Sequence, residues 1–443
     1  MTRRLQALSA LELAGLVAGI AVIAAGIYWR IDLSINHLDF ENRDQHAYST
    51  LAYSIAFKHS YDIPNALDVL HWAPGAPFAM AAGLRVFGVG DGGLRGAYVV
   101  QCLLSIATIG VLFAVTRRFA GGWRALAAAA VLAISTGAVI AQADLITEPL
   151  GALLLLLAFG ALGLALLNSA DARLPWWFAA AGGLLGAAVL TRPDFLFLPI
   201  AYAVLVVVLW KEPLGSRLRG AGTLLVVCII VMAPYCTWAS LQEGKLVTPT
   251  TSGPSTYWVG TYLPGDGRTQ LARKAMAPEI RRHYPDQANV QFPSAVLMMN
   301  TVAKRYPGLS KDEAISKALR QNIEDYAFGQ PLDFAWMEIK KPYRMWAAPY
   351  KGHSRKHTWW GDVLHLPTMV AAIVTVLGAL WFRRRAILLA LAGSTLVVVT
   401  AVDIIGPAIP RANARTAPIA ILGAALAVQA WVARRDAGSG DSA

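Results

Sequence analysis

Charge is what this chain has least of. Asp, Glu, Lys and Arg make up 15% of its 443 residues, against 56% hydrophobic, and mean hydropathy is positive. Soluble globular domains carry about 25% charged residues. That class is excluded, and an integral membrane protein is implied. Cysteine is nearly absent too. Cys102, Cys228 and Cys236 all fall within apolar runs, which excludes a disulfide framework or a cysteine metal site in the loops. No Gly-rich phosphate loop or Walker motif occurs, so no nucleotide-binding module is expected.

Long apolar runs are there in number. A spanning helix needs about 20 apolar residues, and the pattern predicts an all-α bundle of about ten spans. These are 11–30, 96–115, 125–141, 146–168, 176–191, 195–210, 220–240, 363–382, 386–402 and 416–433. Basic clusters punctuate them at Arg3-Arg4, Arg117-Arg118 with Arg124, Arg173, Lys211 with Arg217 and Arg219, Arg383-Arg384-Arg385, and Arg434-Arg435. Ten spans put every cluster on one side, so the positive-inside rule places both termini in the cytoplasm. The net charge of +12 follows from topology and contact with anionic lipid head groups, and calls for no nucleic-acid partner.

The chain divides into an N-terminal transmembrane module (1–240) containing a first outer loop (31–95), a long outer segment (241–362), C-terminal spans (363–435) and a tail (436–443) that reads as disordered. The first apolar run has no small-residue cleavage site before the polar loop, so it reads as a retained helix.

A polar island, Asp39-Phe40-Glu41-Asn42-Arg43-Asp44-Gln45-His46-Ala47-Tyr48, follows the first span. Three carboxylates, an arginine and a histidine exceed what a plain connection needs. Residues 44–58 place Ala47, Leu51, Ser54-Ile55 and Lys58 at helical spacing, predicting an amphipathic surface helix. Asp44 then sits in its first turn, where the helix dipole favours negative charge. It has two readings: a helix-capping carboxylate, or a catalytic base facing a membrane-side cavity. Further on, His71-Trp72-Ala73-Pro74-Gly75-Ala76-Pro77 forms a rigid turn back into the membrane. His71 and Trp72 are read as interfacial side chains or as contacts to a substrate.

In the long outer segment, residues 244–267 are rich in Gly, Pro, Ser and Thr, predicting turns and extended chain. Tyr257 and Trp258 there either stack on a sugar ring or fill the segment's own core. Residues 268–345 are more helical, with Ser310-Lys311-Asp312-Glu313 a capping box for a helix over 311–327. The Lys340-Lys341-Pro342-Tyr343-Arg344-Met345-Trp346 stretch reads as an interfacial anchor.

The motifs Asp44-x3-Tyr48-x3-Ala52, Tyr61-Asp62-Ile63, Pro74-Gly75-x-Pro77 and Leu84-x2-Phe87-Gly88 resemble the first outer loop of polytopic glycosyltransferases that use lipid-linked sugars. These are the GT-C enzymes of the protein mannosyltransferase and aminoarabinose transferase type. Thr147-Glu148-Pro149, Thr191-Arg192-Pro193-Asp194, the segment from Thr251-Ser252-Gly253 to Gly260, and Arg411 to Pro418 add weaker matches. The resemblance implies a GT-C bundle and transfer of a sugar from a polyprenyl phosphate to an envelope glycan, a lipid A-like molecule or a protein, at the periplasmic face of a bacterial inner membrane. It implies Asp44 as general base for a single inverting displacement, which needs one essential carboxylate where hydrolases use two.

The aminoarabinose transferases carry a second acid, an arginine and a lysine where this chain has Gln45, Ala47 and Ala73. The leaving phosphate then needs other cations near lipid. Arg192, assisted by Arg411 or Arg415, is the preferred set, with Arg43, Lys58, His46, His59 and His71 behind it. Substrate-binding candidates are Tyr48, His71, Trp72, Glu148, Tyr257 and Trp258. Glu148, Asp144 and Asp403 lie at span ends, where an ionised group is costly unless paired or facing a cavity. Asp39 and Glu41 sit beside Asp44, but the spacing supplies no compact ligand set for a divalent cation, and no cofactor is expected. The alternative from another class is a transporter or flippase for a lipid-linked or small polar solute. That reading calls for an inverted repeat and mid-membrane charges, which the sequence does not display.

Overall fold

A computed structural model describes residues 9–36, 43–63, 70–90, 93–168, 174–287, 294–347, 359–382, 386–407 and 411–440. Asp39 and Glu41, and the side chains of Arg43 and Arg411, fall outside that description. Among the described residues there is helix and no strand.

The N-terminal helices are α1 (Ala10–Asn36), α2 (Arg43–Tyr53), α3 (Gly75–Phe87), α4 (Arg95–Ala120), α5 (Gly122–Ile134), α6 (Thr136–Ala143), α7 (Glu148–Leu167), α8 (Leu174–Thr191), α9 (Leu198–Leu209) and α10 (Leu214–Glu243). Five shorter helices follow: α11 (Gly253–Thr261), α12 (Thr269–His283), α13 (Ala295–Lys304), α14 (Lys311–Asn322) and α15 (Pro331–Trp346). The chain then returns to long apolar helices, α16 (Trp359–Phe382), α17 (Ile387–Ile405) and α18 (Arg411–Gly440).

Eight of these are long and apolar enough to cross a membrane, and the α5–α6 pair makes a ninth, bent by 51°. Two of the ten expected spans therefore differ. The run at 125–141 breaks at Ser135, and the run at 195–210 is a helix too short to count by length, because Pro193 opens a 3-10 turn before it. The tail differs as well: α18 continues to Gly440, taking residues 436–440 into helix where disorder is expected.

The α5–α6 break falls at Ser135, two residues before Gly137. A buried arginine stabilises it. Arg30 of α1 donates from Nη2 to Leu132 O (3.0 Å) and from Nη1 to Ala133 O, while Nε donates to Ser105 Oγ at 2.9 Å. Leu132 O also accepts from Ser135 N (3.2 Å), and a cation suits the carbonyls at a helix C-terminus. On the other side of the break, Thr136 Oγ1 donates to Gly361 O (3.0 Å).

α7 is the most enclosed span and packs against α4, α8 and α18. Its leucines join Phe178, Leu185, Tyr202, Leu391 and Leu422 in the main core. Glycines let backbones meet, as is usual where lipid offers no hydrophobic driving force between helices. A Cβ on Gly26 would lie 2.3 Å from Ala133 O, and one on Gly182 2.3 Å from Leu224 O.

Helices α11–α14 gather a separate core of Trp258, Met276, Ile280, Met298, Val302 and Ile315. The Ser310–Glu313 capping box is present at the start of α14. Residues 244–267, expected to be extended, instead include α11, with Pro254 in its first turn, where a missing N–H costs nothing. The basic stretch 340–346 is an internal clamp and not simply a head-group anchor. Lys341 is fully buried, donating to Gly260 O (2.9 Å), Glu338 Oε1 (2.6 Å) and Ile404 O (2.6 Å). It thereby ties α11 to the end of α17. Substituting Lys341 by methionine orphans all three acceptors, so a loss of about 3 kcal/mol is expected. Thermal unfolding and limited proteolysis of 244–346 measure it; an unchanged pattern would refute the clamp.

The opposite face of α15 is apolar. Leu332, Trp336, Ile339 and Tyr343 are 61–85% exposed at helical spacing, while Trp346 Nε1 donates to Thr400 Oγ1 (3.1 Å) near the end of span α17. A helix fixed at that level with such a stripe is expected to lie in the membrane interface. A nitroxide at 336 or 339 should then relax with oxygen and be shielded from a water-soluble agent. The reverse ranking places this face in water.

Candidate functional site at the span ends

Four span ends meet at one place. Thr147 and Pro149 start α7 and set Glu148 in its first turn. At the end of α8 the backbone turns extended at Arg192 and enters the Pro193–Phe195 turn, which brings Asp194 round to its neighbour's guanidinium. Asp403 comes from the end of α17 and Arg415 from the start of α18.

Arg192 Nη1 lies 2.7 Å from Glu148 Oε1 and 2.5 Å from Thr147 Oγ1, and its Nη2 is 3.1 Å from Asp194 Oδ2. Arg415 bridges Asp194 and Asp403. Side-chain exposure runs from 1% at Glu148 and 2% at Arg415 to 19% at Asp403. Charges so enclosed persist only when paired, and here each guanidinium is shared by two carboxylates. Gly151, one turn into α7, makes room: a Cβ there would meet Arg192 Cδ at 3.3 Å. Glu148 also lines a narrow cavity in the bundle together with Arg30, Ser105, Ala414 and Pro418.

The first loop reaches the same place. Gly75 of the proline turn abuts the last residue of α8; a Cβ there would be 2.3 Å from Thr191 Oγ1. Behind the turn, the Trp72 ring meets Tyr48 edge-on at 5.3 Å and His71 at 4.9 Å. Tyr61 Oη donates to Trp72 O (2.6 Å). Asp44 occupies the first turn of α2, half-buried, as the spacing predicts. The helix packs Leu51, Ala52 and, through a π-turn, Ala56 inward while Tyr53 and Phe57 stay exposed. Gln45 Nε2 donates to Tyr98 Oη of α4 (3.1 Å).

From the α11 side, Tyr257 comes close to the network. Burial, and after it the carboxylates Asp194 and Asp403, push its phenol above the usual range. Trp258 points the other way. It is fully buried and stacks on Tyr262 at 4.6 Å within the small core, so it is structural and is corrected as a sugar contact. Lys58, His46 and His59 are exposed, and His59 Nε2 lies 3.4 Å from Arg85. Asp144 ends α6. Among the described residues, no three His, Cys, Asp or Glu side chains are placed to hold a metal ion.

Arg30 was not foreseen as part of this region. Its only signal is an arginine closing the apolar run of α1 with Asp32 just beyond it, which reads as an ordinary span end.

An all-helical polytopic membrane protein with a buried ionic network at the ends of its spans is the class that fold and site define. Residues 71–238 match the family model described as dolichyl-phosphate-mannose-protein mannosyltransferase. No curated protein sequence matches the chain. Among solved structures, it is similar to the oligosaccharyltransferase AglB from Archaeoglobus fulgidus in complex with an inhibitory peptide and a dolichol-phosphate. The two align with a TM-score of 0.54 and 15% identity, over 93% of this chain and 50% of that one. The apo form of the archaeal enzyme gives the same values. ArnT from Cupriavidus metallidurans bound to undecaprenyl phosphate aligns over 95% of this chain and 78% of its own at 15% identity, with a TM-score of 0.41, too loose to carry weight. The chain thus spans half the length of the archaeal protein. The family model matches residues 71–238, and the likeness to the archaeal structure is one of fold.

Proposed function

We propose that this chain is a membrane glycosyltransferase that moves a sugar from a polyprenyl-phosphate donor to an envelope acceptor. The observation that carries this reading is the seating of Gly75 against Thr191, which joins the loop bearing Asp44 to the span ends bearing Arg192 and Arg415. Asp44 takes the proton from the acceptor hydroxyl or amine. The acceptor oxygen or nitrogen attacks the anomeric carbon, the bond from that carbon to the phosphate oxygen breaks, and polyprenyl phosphate leaves with inversion.

Arg192 and Arg415, with Arg411 one helical turn before Arg415 in α18, meet the charge that develops on the leaving phosphate. Their carboxylate partners hold the guanidiniums in place beforehand, and Arg415 Nε is a buried donor without an acceptor among the described residues. Tyr48, His71, Trp72, Glu148 and Tyr257 line the approach. With the short α9 counted as a tenth crossing, the basic clusters fall on one side and orient both termini to the cytoplasm and the site to the periplasm of a bacterial inner membrane, with 1–240, 241–362 and 363–435 as the working divisions.

Mass spectrometry of lipids and envelope glycans from cells with and without the gene tests the reading. One defined sugar should vanish from one glycan in the deletion and return with the wild-type chain. An unchanged profile with the protein demonstrably expressed sinks it.

A further inference from the structure

The α11–α14 unit carries a groove of about 770 Å³, within the range of small-molecule and cofactor sites. Residues 245–254 form one wall and α14 the other, with Gly253 and Pro254 of α11 at its base. Its two ends connect to the site already described. One helical turn along α11 from Gly253 stands Tyr257, whose phenol feels Asp194 and Asp403. On the opposite rim Thr251 N donates to Leu70 O (3.0 Å), the residue before His71.

The lining has a definite charge. Lys245 is taken up by Asp312 and lies 3.7 Å from Glu243. Glu313 is committed to the capping box with Ser310. Lys317 and Arg320 remain, three residues apart on α14 and both exposed, with no carboxylate in salt-bridge reach among the described residues. Between them and the opposite wall lie the hydroxyls of Thr250 and Thr251 and of Ser316, interleaved with Leu246 and Leu309.

We propose that this groove holds the acceptor, and that the acceptor is an anionic glycan. This rests on the glycosyltransferase reading and names the substrate class of that site. Apolar side chains alternating with hydroxyls fit a sugar ring, which has an apolar face and a polar rim; Arg320, and Lys317 over the Tyr306 ring at 5.1 Å, have no carboxylate partner and call for carboxylate or phosphate groups on it. A peptide held by strand addition would need a strand edge to pair with, and the described residues offer none.

The test uses the full chain in lipid nanodiscs with four fluorescent probes: a hexa-uronate, a phosphorylated mannohexaose, neutral maltohexaose and a hexaglutamate peptide. One or both anionic saccharides should bind, which one telling uronate from phosphate, and the neutral saccharide and the peptide should bind at least about tenfold more weakly. Lys317→Glu with Arg320→Glu should weaken saccharide binding about tenfold or more through like-charge repulsion, and Lys317→Gln with Arg320→Gln by less. Both positions are exposed, so folding should survive, which an unchanged melting curve checks. Equal binding of maltohexaose, equal or tighter binding of hexaglutamate, or indifference to charge reversal overturns the proposal. Polyprenyl-phosphate binding is measured on the same samples. Its absence from the wild-type chain counts against the glycosyltransferase reading, whereas loss of saccharide selectivity alone counts against the groove.

Discussion

Replacing Asp44 with asparagine is expected to lower sugar transfer by about a hundredfold to ten-thousandfold, the range for removing a positioned general base. Asparagine keeps the size and the hydrogen bonding of aspartate. It forgoes only the dipole interaction of a first-turn charge, about 0.3–1 kcal/mol, so α2 and its packing on α3 should remain. Protein level, melting temperature and affinity for polyprenyl phosphate should therefore match wild type while turnover collapses. Transfer measured with purified protein decides it. Retained turnover would remove Asp44 from the mechanism and leave it as a helix-terminus carboxylate.

Arg192→Ala carries the largest expected effect on stability. It strips Glu148 and Asp194 of a partner they bind at 2.7 Å and 3.1 Å, leaving buried charge uncompensated. The cost of such a deletion is about 3–5 kcal/mol, a large share of the stability of an ordinary domain. Low yield and a lower melting temperature are expected. Adding Glu148→Gln to Arg192→Ala should recover part of the loss, because one orphaned charge goes with it. Donor affinity is better read on Arg192→Lys, which keeps the charge but cannot make the forked contacts of a guanidinium. Wild-type stability and wild-type lipid affinity in Arg192→Ala together would dismiss both roles.

What could be read in advance depended on how local its cause was. Spans such as α4 and α7 are written in their own residues, and the Ser310–Glu313 box lies within four positions, so both were legible. The α5–α6 break was not, because the residue that completes it, Arg30, is about a hundred positions away. The same holds for the ionic network. Glu148 and Asp403 were visible as costly charges at span ends, and Arg192 and Arg415 as candidate cations, but only the packing of α7, α8, α17 and α18 makes them one object. Asp194 was visible as part of a motif and not as the carboxylate that links both arginines. Trp258 and Tyr257 are adjacent and alike in sequence. One helical step of about 100° sends the first into a core and the second toward the network, a difference that an expectation of extended chain could not resolve.

The glycine contacts bear on how such a chain changes over time. Added methyls at Gly26 or Gly182 run into main-chain carbonyls of the facing helix, which no rotamer change can relieve. Outward positions of the spans, such as Ile229 and Leu380, are exposed; against lipid one aliphatic residue serves there as well as another. Mutational constraint is thus concentrated on a few small residues and ionic partners, while most of the surface is free to drift. An architecture specified this sparsely can outlast nearly all of its original sequence, consistent with a fold shared at 15% identity with an archaeal oligosaccharyltransferase.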